Sequence, residues 1–140
     1  MKNITEYLLE SINNPARIFI IIKPGFFKYS AGILQRFAQD GWVVEKSRTK
    51  QLLLREARAL YKIHKKEDWY KPLCDYMASE PTTAFILKND NIEMSPDVFK
   101  QTIAIKDEIR EKYGESDMRN VIHSSDSIEH MNDEKSIYFT

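Results

Sequence analysis

Hydrophobic and polar positions along this chain change their spacing from one stretch to the next, and the densest apolar run is Arg17-Ile18-Phe19-Ile20-Ile21-Ile22-Lys23. An unbroken apolar run rich in β-branched residues predicts a strand buried on both faces at the centre of a sheet. Lys23-Pro24-Gly25 ends it. Upstream, Ile4, Tyr7, Leu8 and Ile12 share a helical face from about Asn3 to Ile12, and Asn13-Asn14-Pro15 stops that helix. Residues 1–15 then form a helical extension and residues 16–140 the domain proper.

Downstream, Ile33, Leu34 and Phe37 predict a helix from about Ser30 to Gln39, closed by Asp40-Gly41. Trp42 to Arg48 reads as a less apolar strand, nearer an edge. Leu52, Leu53, Ala57, Leu60 and Tyr61 keep a helical period from Gln51 to about Lys65. Asp68 caps another helix with the stripe Trp69, Leu73, Tyr76 and Met77, broken by Glu80-Pro81. Thr82 to Leu87 is a third strand and Asn89-Asp90-Asn91 a turn. Ser95-Pro96-Asp97 opens a helix that buries Val98, Thr102, Ile105 and Ile109 and ends near Tyr113-Gly114. Asp126 to about Lys135 is a last helix, and Ile137-Tyr138-Phe139 a short fourth strand. This order matches the ferredoxin-like βαββαβ plan of the α+β class: a four-stranded antiparallel sheet with covering helices, plus an extra N-terminal helix. Helices are expected on one face, leaving the other face or an edge for subunits.

Composition narrows the function. Twenty-one basic residues balance twenty-one acidic ones, so no nucleic-acid surface is expected, although a nucleotide needs only a few local cations. No apolar run reaches membrane-spanning length, and the start of the chain lacks a signal-peptide layout. The single cysteine, Cys74, reads as a small core residue, compatible with a reducing compartment. A cytoplasmic protein is expected. Glycine-rich phosphate loops, C-x-x-C and H-E-x-x-H metal patterns and a G-x-S-x-G elbow are all missing from the sequence. His64 and His130 read as solvated helix residues.

The chemistry concentrates in Arg119-Asn120-Val121-Ile122-His123-Ser124-Ser125-Asp126-Ser127. Val121 and Ile122 draw the segment into the protein body. Ser125, Asp126 and Ser127 are competent N-caps, so a helix N-terminus and its partial positive charge fall close to His123. A histidine beside an anion site can serve as general acid/base or as covalent nucleophile; the plainer reading is a capped helix with an incidental histidine. Lys23, at the C-terminal end of the central strand, is either a ligand-binding cation or the point where that strand meets water.

Asn120-Val121-Ile122-His123-Ser124-Ser125-Asp126-Ser127 resembles the N-x-x-H-[GA]-S-D-S active-site motif of the nucleoside diphosphate kinases, and Lys23-Pro24 resembles that family's K-P-D opening. Glu80-Pro81 sits where the family carries G-P before its third strand. The resemblance spans about Ala16 to Phe139. It implies ping-pong transfer of a γ-phosphoryl group from a nucleoside triphosphate to a nucleoside diphosphate, with His123 as the phosphohistidine. By the same resemblance Glu134 fixes the histidine tautomer with Ser125 as neighbour, and Lys23 and Arg110 meet the phosphates. Tyr61 lies by the histidine, Asn120 contacts the sugar, and Trp69 and Leu73 sandwich the base, whose π-face any nucleobase offers. Mg²⁺ arrives on the phosphates, and the protein assembles as a homo-oligomer.

The departures are local. Gly25 replaces an aspartate, and the segment between Leu87 and Ile109 is shorter than usual and reads as one continuous helix. No arginine lies between Arg58 and Arg110, so Lys100 and Thr102 are the nearest substitutes for a missing phosphate-binding arginine and threonine. The alternative function is a catalytically weak kinase-like module that binds nucleotides or partners.

Overall fold

The computed structural model describes residues 14–139, so the helix expected over residues 3–12 lies outside the described residues. Strand β1 (Pro15–Ile22) leads through a 3-10 turn at Phe27–Tyr29 into α1 (Ser30–Gln39), then β2 (Val43–Lys50) and α2 (Leu54–Leu60). A second 3-10 turn, Lys62–His64, precedes α3 (Tyr70–Met77), β3 (Thr82–Glu93), α4 (Asp97–Tyr113), β4 (Ile122–Ser124) and α5 (Ile128–Lys135). The sheet order is β2-β3-β1-β4, with every neighbouring pair antiparallel. This is the ferredoxin-like arrangement. Among the described residues no helix is long and apolar enough to cross a membrane.

β1 is central, and its lack of polar alternation has a direct consequence. Ile18, Ile20 and Ile22 enter one cluster with Ile33 and Phe37 of α1 and Ile105 and Ile109 of α4. Phe19 and Ile21 enter a second, with Ala57 and Leu60 of α2, Leu73 and Met77 of α3, and Met131 of α5. Helices therefore cover both faces, where one covered face was expected. A strand with apolar side chains on both sides must be covered on both sides. The exposed apolar side chains of the sheet are instead on β2, where Val43 is 56% and Val44 46% exposed along a free edge.

Three local expectations are corrected. The fourth strand is β4, around His123, and Ile137–Phe139 is not a strand. Its backbone turns back on α5, with Tyr138 N–H and Phe139 N–H donating to Lys135 O, because β4 already occupies the position beside β1. Tyr138 is nonetheless fully buried, with its hydroxyl bonded to that of Thr82. Asn89-Asp90-Asn91 continues β3; Asn89 is buried and its amide donates to Asp40 O at 2.9 Å, giving a strand interior a polar residue with a partner. The expected cap at Asp68 is not used, since α3 begins at Tyr70 with Trp69 before it and no side-chain capping bond.

Candidate functional site

The site grows from the alternation of β1 and β4. Ile22 pairs with Ile122 and Ile21 with His123. Ile122 belongs to the first core cluster, so His123 projects to the opposite face, and Lys23, two residues beyond Ile21, follows it there. The backbone entering β4 is strained: Val121 has φ of 79° and is fully buried, and Ile122 N–H donates to Asn120 O at 2.9 Å. A hydrogen bond across a single intervening residue at that φ is a γ-turn, and a β-branched residue held there costs on the order of 1–3 kcal/mol. Lys23 N–H donates to Val121 O at 2.8 Å and holds the kink. The turn places Asn120 and His123 on one cavity.

That cavity has a volume of about 510 Å³. Of the residues expected to act, Lys23, Tyr61, Trp69, Leu73, Arg110, Asn120, His123 and Glu134 all line it. Ser125 is buried just behind. Glu134, from α5, accepts a hydrogen bond from His123 Nε2 at 2.9 Å through one carboxylate oxygen and from the Ser125 hydroxyl through the other. A carboxylate is acceptor only, so in the neutral imidazole Nε2 carries the proton and Nδ1 the lone pair. The Ser127 hydroxyl caps α5 by accepting from His130 N–H at 3.1 Å. The Tyr61 ring stands edge-on to the imidazole, centroids 5.3 Å apart.

Beside the histidine the cavity is cationic. Lys23 is buried and donates to Met118 O at 3.3 Å; burial, then Arg110 and Lys106, lower its ammonium to about 7. Arg110 donates to Ile122 O at 2.8 Å, and burial lowers its guanidinium as well. Burial raises the Tyr61 phenol, with Tyr138 and Glu134 adding to the effect. Tyr61 Oη, Arg110 Nε and Asn120 Oδ1 are buried without a hydrogen-bond partner among the described residues. Buried polar atoms are nearly always paired, so three open ones around one cavity mark it as a place built to be filled.

Lys100 and Thr102 are not brought to the cavity. Thr102 is buried and its hydroxyl donates back to Val98 O and Phe99 O at 3.2 Å, while Lys100 is exposed. In an unbroken helix Lys100 lies about 120° around the axis from position 106. Lys106, which sequence reasoning passed over, does line the cavity and is half-buried. Its only signal was its place one turn before Arg110. His64 and His130, expected in solvent, also line it: the His64 ring lies 4.8 Å from that of Trp69, and His130 Nδ1 is 2.5 Å from Asp126 Oδ1. The structure also accounts for Gly25, whose φ is +90° and whose added Cβ would meet the Arg119 guanidinium at 2.8 Å. Arg119 stacks there between Phe26 and Tyr76.

The profile of the Nucleoside diphosphate kinase family matches residues 16–140. The nucleoside diphosphate kinase of Kosmotoga olearia is 30% identical over 129 residues, covering 88% of this chain and 88% of its own. That of Helicobacter pylori is 30% identical over 129 residues, covering 88% and 94%. Among solved structures, Aquifex aeolicus nucleoside diphosphate kinase superposes with a TM-score of 0.76 at 26% identity, covering 90% of this chain and 96% of that one. The Encephalitozoon cuniculi enzyme shares the fold at a TM-score of 0.75 and 22% identity, covering 89% and 88%.

Proposed function

This chain belongs to the nucleoside diphosphate kinase family, and we propose that it moves a γ-phosphoryl group from a nucleoside triphosphate to a nucleoside diphosphate in two half-reactions through phosphohistidine at His123. The observation that carries the proposal is the His123–Glu134–Ser125 chain sharing one cavity with Lys23 and Arg110.

In the first half-reaction the Nδ1 lone pair attacks the γ-phosphorus, the bond to the β,γ-bridging oxygen breaks, and the nucleoside diphosphate leaves with that oxygen. Glu134 holds the Nε2 proton throughout and offsets the positive charge that develops on the ring. In the second, a β-phosphate oxygen of the acceptor attacks the same phosphorus, the N–P bond breaks, and neutral His123 is restored. Lys23 and Arg110 offset the phosphate charge, and the Tyr61 hydroxyl and Arg110 Nε find in phosphate oxygens the partners they lack. Asn120 takes the sugar, and Trp69, 47% exposed at the mouth, with Leu73, takes the base by stacking and contact. Lys23 and Arg110 are cations and cannot ligate a metal, and the described residues hold no group of three or more metal-ligating side chains. When bound, Mg²⁺ would be carried on the nucleotide phosphates and would supply offsetting positive charge there. The buried free thiol of Cys74 is consistent with work in the cytoplasm. The exposed Val43-Val44 edge of β2 supports assembly with further copies, which light scattering of the purified chain will read directly.

The test is incubation with γ-labelled ATP and Mg²⁺. Acid-labile, base-stable label that discharges to GDP is expected, and His123→Ala should reduce it at least about 1000-fold while the fold is retained. Nucleotide binding with no label would instead support the weaker binding-module reading, which the position of Lys100 and Thr102 outside the cavity favours.

A further inference from the structure

Lys106 enters the cavity from α4 one turn before Arg110, a spacing of four residues that puts both side chains on one helix face. Lys23 reaches the same space from the end of β1. Among the described residues, none of these three cations has a carboxylate within ion-pair distance. Two of the three carboxylates that line the cavity are engaged elsewhere: Glu134 with His123 and Ser125, and Asp126 with His130. Burial and the neighbouring Arg110 both lower the Lys106 ammonium, as they lower that of Lys23. Three half-buried or buried like charges with no paired carboxylate, offset only at longer range by Asp107 and Asp126, are unfavourable in the empty protein. An anion with several charges strung along a chain relieves all three together, whereas an anion with one charged group relieves fewer.

We propose that Lys106 is a phosphate-binding residue that completes a three-cation cradle with Lys23 and Arg110, and that it sets the preference for nucleoside di- and triphosphates over monophosphates. The inference takes the ligand's identity from the kinase reading; the count and placement of the cations come from the fold alone.

The experiment is isothermal titration of the full-length chain with ADP and with AMP. Lys106→Gln should weaken ADP by about ten-fold, the scale of one charge-assisted hydrogen bond, and AMP by much less. Lys106→Arg should recover part of the ADP affinity, and Lys46→Gln, an equal charge change on exposed β2, should alter neither. Lys106→Met keeps the apolar stem and gives the same reading should the glutamine variant fold poorly. ADP affinity unchanged within about two-fold, or equal weakening of ADP and AMP, would overturn the proposal. A wild-type chain that prefers ADP through Lys106 yet never takes label from γ-labelled ATP would overturn the kinase reading and leave this inference standing. Normal labelling with ADP affinity indifferent to Lys106 would do the reverse.

Discussion

The face of the sheet built on Ile18, Ile20 and Ile22 is closed, whereas the face built on Phe19 and Ile21 gives way at its Lys23 end to a cavity. On the closed face α1 and α4 supply Ile33, Phe37, Ile105 and Ile109, and the polar groups stay at the rim, as in the Arg36–Glu108 pair at 2.6 Å. On the open face all three buried side-chain polar atoms without partners among the described residues border the cavity, together with two lysines and an arginine that repel one another. One face contributes stability through burial; the other gives up stability so that its groups stand ready for an anion. The two faces meet at β4, where Ile122 belongs to the first and His123 to the second.

Substitutions can separate these roles. The largest effect on folding should come from the closed face: Phe37→Ala, at a site 1% exposed, should cost about 3–5 kcal/mol in urea unfolding, with phosphoenzyme yield per folded molecule unchanged. A matching loss of chemistry would mean that the faces are coupled. Arg110→Ala on the open face should remove roughly 2–4 kcal/mol of transition-state stabilisation, read from kcat/KM.

Lys23→Met should invert the pattern, lowering turnover while raising the stability of the nucleotide-free protein by about 0.5–2 kcal/mol. The sign follows from linkage. Lys23 has a folded value of about 7 against an ordinary 10.5, so between these the unfolded chain binds more protons. Wild-type stability therefore gains from this group as pH rises from 7 towards 10.5, and the advantage of the methionine variant should be largest below pH 7 and shrink above it. An advantage that does not vary with pH would show that packing, not charge, sets the effect. The smallest change is Tyr61→Phe: removing an unpartnered hydroxyl should leave stability unchanged or raise it by about 1 kcal/mol, while nucleotide affinity falls.

Much of this was legible beforehand in local terms. β1, α1 and α4 follow from runs of apolar residues whose periods are written in the chain, and Asp40-Gly41 closes α1 because Gly41 takes a positive φ of 96°. The candidate site was legible where it is compact: Asn120, His123 and Ser125 lie within six residues of one another, and the motif carries its own spacing. β4 was not, because three residues cannot declare a period and this strand exists only by pairing with β1. Ile137-Tyr138-Phe139 looked like a strand because buried apolar residues of that type have the same composition whether or not a partner strand is free. His64 and His130 looked solvated, and Lys106 drew no notice, because polar residues on a helix read as an outer face unless something across from them forms a wall.

The sequence by itself determined which segments must be buried, the order of most elements, and the family to which the His123 motif belongs, since these depend on side-chain chemistry at short separation. Tertiary structure alone decided that both faces of the sheet are covered, that a γ-turn at Val121 delivers His123 to the cavity, and that Lys106 rather than Lys100 joins Lys23 and Arg110 there. Those outcomes depend on which distant segments approach one another, and on the free energy of placing like charges together in a partly buried space.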